Sequence, residues 1–121
     1  MKVGKVVGFE LNSQDAEKAS KFYSTVFGWE VSEDRWGYRE VTTGGISGGI
    51  AQGPNDYPHG TRIQIEVNSI DEVIAKAKDY GALIVREKME FDDFFLAYLV
   101  DPTGLGLGLI QKNKFSLVSD K

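Results

Sequence analysis

The 121 residues contain no cysteine. That absence excludes disulfides, thiolate metal sites and a cysteine nucleophile, and it suits a reducing compartment such as the cytoplasm. Histidine occurs once, at His59. Any mechanism that needs two histidines is therefore ruled out, and His59, between Pro58 and Gly60, reads as an exposed loop residue rather than a base or ligand. No apolar run is long enough to span a bilayer, so no membrane association is expected. The first residues, Met1 to Val7, lack the apolar stretch of a secretion signal. A clustered basic face is missing as well. The net charge is −4 with scattered lysines, so no nucleic-acid partner is expected. The glycine pairs Gly44-Gly45 and Gly48-Gly49 are followed by neither Lys-Ser/Thr nor a helix, which excludes a phosphate loop. What remains is ordinary globular usage, 41% hydrophobic and 26% charged, in a length that suits a single domain over 1–121.

The positive pattern is α+β. Val3 to Leu11 reads as a strand in which Val7, Phe9 and Leu11 alternate with Gly8 and Glu10. Asn12, Ser13 and Asp15 offer helix N-caps. Ala16, Ala19, Phe22, Tyr23, Val26 and Phe27 then follow at helical spacing up to Gly28. Trp29–Ser32, Gly37–Thr42 and Ile46–Ala51 read as strands, and 53–60 as a linker. The pattern then restarts. Ile63, Ile65 and Val67 alternate with Arg62, Gln64 and Glu66. Ser69 and Glu72 form a capping box, Val73, Ile74, Ala77 and Tyr80 make an apolar stripe, and Gly81 closes the helix. Leu83–Arg86, Phe94–Val100 and Leu105–Gln111 are further strands, with Leu105, Leu107 and Leu109 packing on a helix and Gly104, Gly106 and Gly108 leaving the other face bare. The tail 113–121 is polar apart from Phe115, Leu117 and Val118.

The two halves repeat. Glu10-Leu11-Asn12-Ser13-Gln14-Asp15 lines up with Glu66-Val67-Asn68-Ser69-Ile70-Asp71, an offset of 66 − 10 = 56. Thr43-Gly44, Gly48 and Ile50 line up with Thr103-Gly104, Gly108 and Ile110 at an offset of 60. Matches at both ends of the unit, in order, predict a duplicated βαβββ module over 3–52 and 61–112.

Three stretches resemble the glyoxalase/bleomycin resistance/dioxygenase (vicinal oxygen chelate) superfamily. They are Glu10 to Trp29 with its Val26-Phe27-Gly28-Trp29 ending, Glu66 to Gly81, and the turn Asp101-Pro102-Thr103-Gly104 with the strand after it. The resemblance implies two βαβββ modules pairing into a curled mixed sheet around a concave cavity, helices outside, and a homodimer. It also implies, in many members, a divalent metal in that cavity. The ligand positions map to Gly8, Arg62, Gly48 and Gly108. A catalytic metal needs about three or more converging N/O donors, glycine offers no side chain, and arginine is a permanent cation. The expectation is therefore that no metal or other cofactor is required, a divalent metal on the carboxylates Glu10 and Glu66 being the disfavoured alternative.

Alternation puts Glu10 on the face of Gly8, and Glu66 on the face of Arg62 and Gln64. These four are expected to point into the cavity, with Glu10 or Glu66 either paired with Arg62 or acting as a base. Arg62 and Gln64 are ligand-binding candidates, the arginine through a bidentate fork to an anion. Trp36, Tyr38 and Glu40 are the other candidate ligand contacts, with Tyr38, Glu40 and Thr42 on one strand face. Three functions stay open: binding of a small organic molecule, a lyase, isomerase, hydrolase or dioxygenase-type enzyme, and a non-catalytic regulatory or structural paralogue.

Overall fold

Both helices begin where a side chain satisfies the first backbone N–H groups, which have no partner inside the helix. The computed structural model describes residues 4–53 and 60–112. His59, most of the expected linker and the tail 113–121 lie outside the described residues. Asp15 caps α1 (Ala16–Phe27) by accepting the Lys18 N–H at 3.0 Å. Ser69 caps α2 (Ile70–Asp79) by accepting the Glu72 N–H at 3.2 Å. A glutamine from the last strand of each module supports the same helix end. Gln52 accepts the Ala16 N–H at 2.8 Å and Gln111 the Ile70 N–H at 2.7 Å. Gln52 also donates to the Gln14 carbonyl. Gly28 closes α1 in the left-handed conformation, φ +73°, which a residue without Cβ adopts at no steric cost. No helix among the described residues is long and apolar enough to cross a membrane.

The chain divides into two compact units. The N-terminal unit spans Val7–Ile63, and the C-terminal unit runs from Gln64 onward and includes the start of β1. The first holds β1 (Gly4–Ser13), β2 (Glu30–Val31), β3 (Tyr38–Thr42), β4 (Gly48–Gln52) and α1. Its strand order is β2-β3-β4-β1, with β1 and β4 parallel and the other pairs antiparallel. The second holds β5 from Gln64 on (the strand is Gly60–Val67, and its residues through Ile63 belong to the N-terminal unit), α2, β6 (Leu83–Glu90), β7 (Phe94–Val100) and β8 (Gly106–Lys112). Its order is β5-β8-β7-β6, with β5 and β8 parallel. The same order occurs twice, so the duplicated βαβββ reading and the α+β class hold.

Each unit has its own core under its own helix. Ala16, Val41 and Ile50 are buried in the first, with Phe9, Leu11, Tyr23 and Trp29 packed against them. Tyr23 and Trp29 stack at 5.0 Å. Val67, Ile70, Ile74, Ala97, Leu99 and Leu109 form the second. A fully buried residue such as Ile50 or Ile70 contributes about 1.5–3 kcal/mol by leaving water. Several positions of the expected apolar faces are exposed. Leu105 is 67% and Ile63 44% exposed, because Leu105 precedes β8 and Ile63 lies early in β5, and Phe22, Val26, Phe27 and Tyr80 of the helical stripes are each more than half exposed.

The register of the repeat also differs from the sequence match. The N-caps Asp15 and Ser69 are 69 − 15 = 54 apart. Glu10 pairs with Gly49 and Gln64 with Gly108, so the structural counterpart of Glu10 is Gln64, not Glu66. Recurrence of Asn-Ser-x-Asp had drawn the alignment two residues along. Gly48 is corrected too. It pairs with Phe9 on the helix-covered face, and the open-face position is Gly49.

The Asp101-Pro102-Thr103-Gly104 turn in the second unit is held by one carboxylate oxygen. Asp101 Oδ1 accepts from the Thr103 N–H and hydroxyl, both at 2.7 Å, and from the Leu105 N–H at 3.0 Å. The Leu105 N–H, then the Thr103 hydroxyl and N–H, hold the carboxyl below its ordinary 3.8. A depressed folded-state pKa stabilises above the unfolded value, and that contribution disappears as pH falls through the folded one. Asp101→Asn is therefore expected to melt below wild type at pH 7, and the gap to shrink steadily as melting curves are taken down through pH 4 and below. A gap independent of pH would sink the charge-based account.

Candidate functional site

The helix-free face of the N-terminal unit carries polar side chains in a sheet whose other face is core. Strand period 2 and the pairing of Glu10 with Gly49 and of Gly49 with Glu40 set Glu10, Gly49 and Glu40 side by side. Asn12, Ala51 and Tyr38 follow in the next row. Glu10 and Arg62 are 3% and 6% exposed. The Arg62 Nε and Nη2 both donate to Glu10 Oε1, at 3.0 and 2.7 Å. Two buried charges cost much to desolvate, and only close geometry with charge-assisted hydrogen bonds offsets that.

Tyr38 leans over Gly49, the strand neighbour of Glu10. A Cβ on Gly49 would overlap its hydroxyl, so the glycine is what admits the phenol. Burial pushes the Tyr38 hydroxyl well above the ordinary phenol range. The Glu10 and Glu40 carboxylates push the same way, and Arg62 opposes them. The phenol therefore stays protonated and serves as a hydrogen-bond donor. Ser32, Glu33, Arg35, Tyr38 and Glu40 line a cleft of about 190 Å³ beside it. Trp36 stands at the end of the same hairpin, 100% exposed.

The structure thus brings Glu10, Arg62, Tyr38 and Glu40 together, with Trp36 next to them in the chain. Gln64 and Glu66 belong to the other unit. There Gln64 lies opposite Gly108, and the Glu66 carboxylate lies 4.0 Å from Lys5 and 3.9 Å from Lys112. Sequence reasoning missed Gly49, Glu33 and Arg35. The Arg35-Trp36-Gly37-Tyr38 stretch held a signal for the last two, a glycine directly before a strand start.

The divalent metal that the resemblance implies does not fit these residues. Gly8 and Gly49 supply no donor atom. A Cβ at Gly48 would run into the Phe9 ring and carbonyl, and one at Gly108 would approach the Tyr98 ring to 3.1 Å. Arg62 brings a positive charge to a ligand position and is already bonded to Glu10. Among the described residues, no group of three or more His, Cys, Asp or Glu is placed to hold a metal ion.

A βαβββ duplication with helices on one face and polar side chains on the other is the arrangement of the glyoxalase/bleomycin resistance/dioxygenase superfamily. Within it, this chain belongs to the glyoxalase-like domain family, whose model matches residues 8–110. CFP32 of Mycobacterium bovis, whose name marks it as a candidate glyoxylase, is 28% identical over 116 residues. The match covers 87% of this chain but only 44% of that protein, so the chain spans less than half its relative's length. Among solved structures, a glyoxalase/bleomycin resistance protein/dioxygenase superfamily member from Vibrio splendidus superposes with TM-score 0.66 at 18% identity, covering 91% of this chain and 99% of that one. A Streptomyces coelicolor methylmalonyl-CoA epimerase variant in complex with 2-nitronate-propionyl-CoA gives TM-score 0.60 at 16% identity, covering 92% and 99%. Identities this low carry the fold alone.

Proposed function

We propose that this protein binds a small organic molecule on the open face of its N-terminal unit without a resident metal ion. The observation that carries this reading is the buried Glu10–Arg62 pair. A guanidinium stands where the resemblance puts a ligand to a cation, so the fixed positive charge of the site is part of the chain. Tyr38 adds a protonated phenol and Glu40 a carboxylate at the same place. The structural relative that holds a coenzyme A derivative supports a small-molecule ligand on this fold. Gln64 and Glu66 extend the reading to the β5 face of the C-terminal unit. A cytoplasmic homodimer belongs to the same reading, the compartment supported by the cysteine-free composition and the dimer by the family resemblance. An isomerase or lyase step is the second reading. It is favoured by one observation, the exposed Glu40 carboxylate on the same strand as Tyr38 and in the row of Glu10, which sets a candidate base beside a hydrogen-bonding hydroxyl.

The test is thermal stabilisation of chelator-treated protein by Ni, Zn, Mn and Fe(II), followed by a screen of small organic molecules. A ligand at about 100 times its Kd adds about 2.7 kcal/mol, which is a shift of several degrees for a domain of this size. No metal is expected to raise the melting temperature. At least one organic molecule is expected to, with the shift lost in Tyr38→Phe. A stoichiometric metal with a clear upward shift would overturn the reading. Turnover of a ligand found in the screen, abolished in Glu10→Gln while binding persists, would replace it with the enzymatic one.

A further inference from the structure

Between β2 and β3 the chain reverses in two residues. The Arg35 N–H donates to the Tyr38 carbonyl at 2.8 Å and the Tyr38 N–H to the Arg35 carbonyl at 3.0 Å. φ is +54° at Trp36 and +82° at Gly37. This is a type I′ hairpin turn, which needs left-handed backbone at both central residues. Gly37 meets that need freely. At the first position Asn, Asp or Gly is the usual choice, and a bulky aromatic residue there is strained. Burial does not explain the tryptophan either, because the indole is fully exposed. A strained conformation that no packing compensates points to a use outside the fold.

The cleft next to this turn holds charges of both signs. Glu33, Arg35 and Glu40 all line it, and none of them forms an ion pair among the described residues. Tyr38 adds a hydrogen-bond donor. At about 190 Å³ the cleft is below the roughly 300–1,000 Å³ of sites for drug-sized ligands, so its occupant is small. A single-charge ligand would leave one sign unanswered.

We propose that this cleft is a subsite for a small aromatic zwitterion, an α-amino acid of the phenylalanine type. Glu33 and Glu40 take the ammonium group, the Arg35 guanidinium takes the carboxylate in its planar fork, and the Trp36 indole stacks on the ring. The inference rests on the reading of the open face as a ligand site, since Tyr38 and Glu40 belong to both.

The experiment is calorimetric titration with L-phenylalanine, phenethylamine and 3-phenylpropanoate, which carry both charges, the cation only and the anion only. L-phenylalanine is expected to bind about tenfold or more tightly than either half, since each charge-assisted hydrogen bond is worth about a factor of ten or more. Arg35→Gln is expected to weaken L-phenylalanine and leave phenethylamine unchanged. Glu40→Gln is expected to weaken L-phenylalanine and phenethylamine and leave 3-phenylpropanoate unchanged, and Trp36→Ala to weaken all three. Arg35 and Glu40 line the cleft and Trp36 is fully exposed, so each variant is expected to fold, which melting curves check. Equal affinity for the three probes, or an Arg35→Gln variant that binds L-phenylalanine like wild type, overturns the proposal. If L-phenylalanine does not bind but another molecule does, with its shift lost in Tyr38→Phe, the zwitterion assignment alone falls. If nothing binds, the ligand-site reading falls with it.

Discussion

Replacing Arg62 by methionine is expected to cost about 3–5 kcal/mol of folding stability. The cause is not the loss of an attraction but the charge left behind. Glu10 is 3% exposed, and without the guanidinium its carboxylate stays in a site that cannot hydrate it as water would. Against a total of about 5–15 kcal/mol for a domain, this is about a fifth or more of the stability, and the melting temperature should fall by more than about 10 °C. Two further variants separate this account from simple loss of packing. Arg62→Lys keeps the charge but not the paired N–H groups at 3.0 and 2.7 Å, so it should fall between. The double variant Glu10→Gln with Arg62→Met removes both charges and should recover most of the loss, since a buried ion pair is often no more stable than uncharged side chains of the same volume. Urea melts of the four proteins check this. A double variant as unstable as Arg62→Met would mean that altered packing at position 62, not the buried carboxylate that has lost its guanidinium, carries the cost.

The pair matters to function for the same reason that it is costly. A metal ion can leave, and its affinity depends on pH because its ligands must lose protons. A guanidinium stays charged at any pH the protein meets. The polar face of the N-terminal unit therefore keeps a fixed cation, paired with Glu10 one row from Tyr38.

Much of this was legible in the chain because strands and helices have short periods. The alternation of Val7, Phe9 and Leu11 with Gly8 and Glu10 identified the core face of β1, and Asp15, Gly28 and Ser69 marked the helix ends. Leu107 and Leu109 packed as their spacing implied. The Glu10–Arg62 pair was one of two pairings that the alternation allowed, and choosing between Glu10 and Glu66 needed the register. Register was the weak point throughout. Asp15 and Asp71 matched by letter, yet the caps are Asp15 and Ser69. A one-residue slip exchanged Gly48 for Gly49 and so exchanged the two faces of β4. No local signal resolves such a slip between adjacent glycines. It is set by the ladder with β1 and by the Phe9 ring, contacts that are distant in sequence. The hairpin at Trp36 was hidden because tryptophan is not a turn residue, so Gly37 read as the start of a strand rather than the second half of a turn.

Trp36→Asn is expected to make the protein more stable by about 1 kcal/mol and worse at binding. Most tryptophan substitutions destabilise because a large buried surface returns to water. Here the indole is already 100% exposed, so that loss is absent. The left-handed backbone costs an L-residue about 1–2 kcal/mol, and asparagine recovers part of this through local hydrogen bonding of its short side chain. Alanine is the control. It also carries a Cβ and gains no such hydrogen bonds, so Trp36→Ala should leave the melting temperature near wild type while Trp36→Asn raises it by several degrees. Titration of the same two variants with L-phenylalanine should show both weakened. A melting temperature that falls in Trp36→Asn would mean that the indole packs on something in solution, such as a second copy of the chain, and the ligand role would lose its support. A rise in stability with loss of affinity is the signature of a residue kept at a structural disadvantage for the sake of what it contacts.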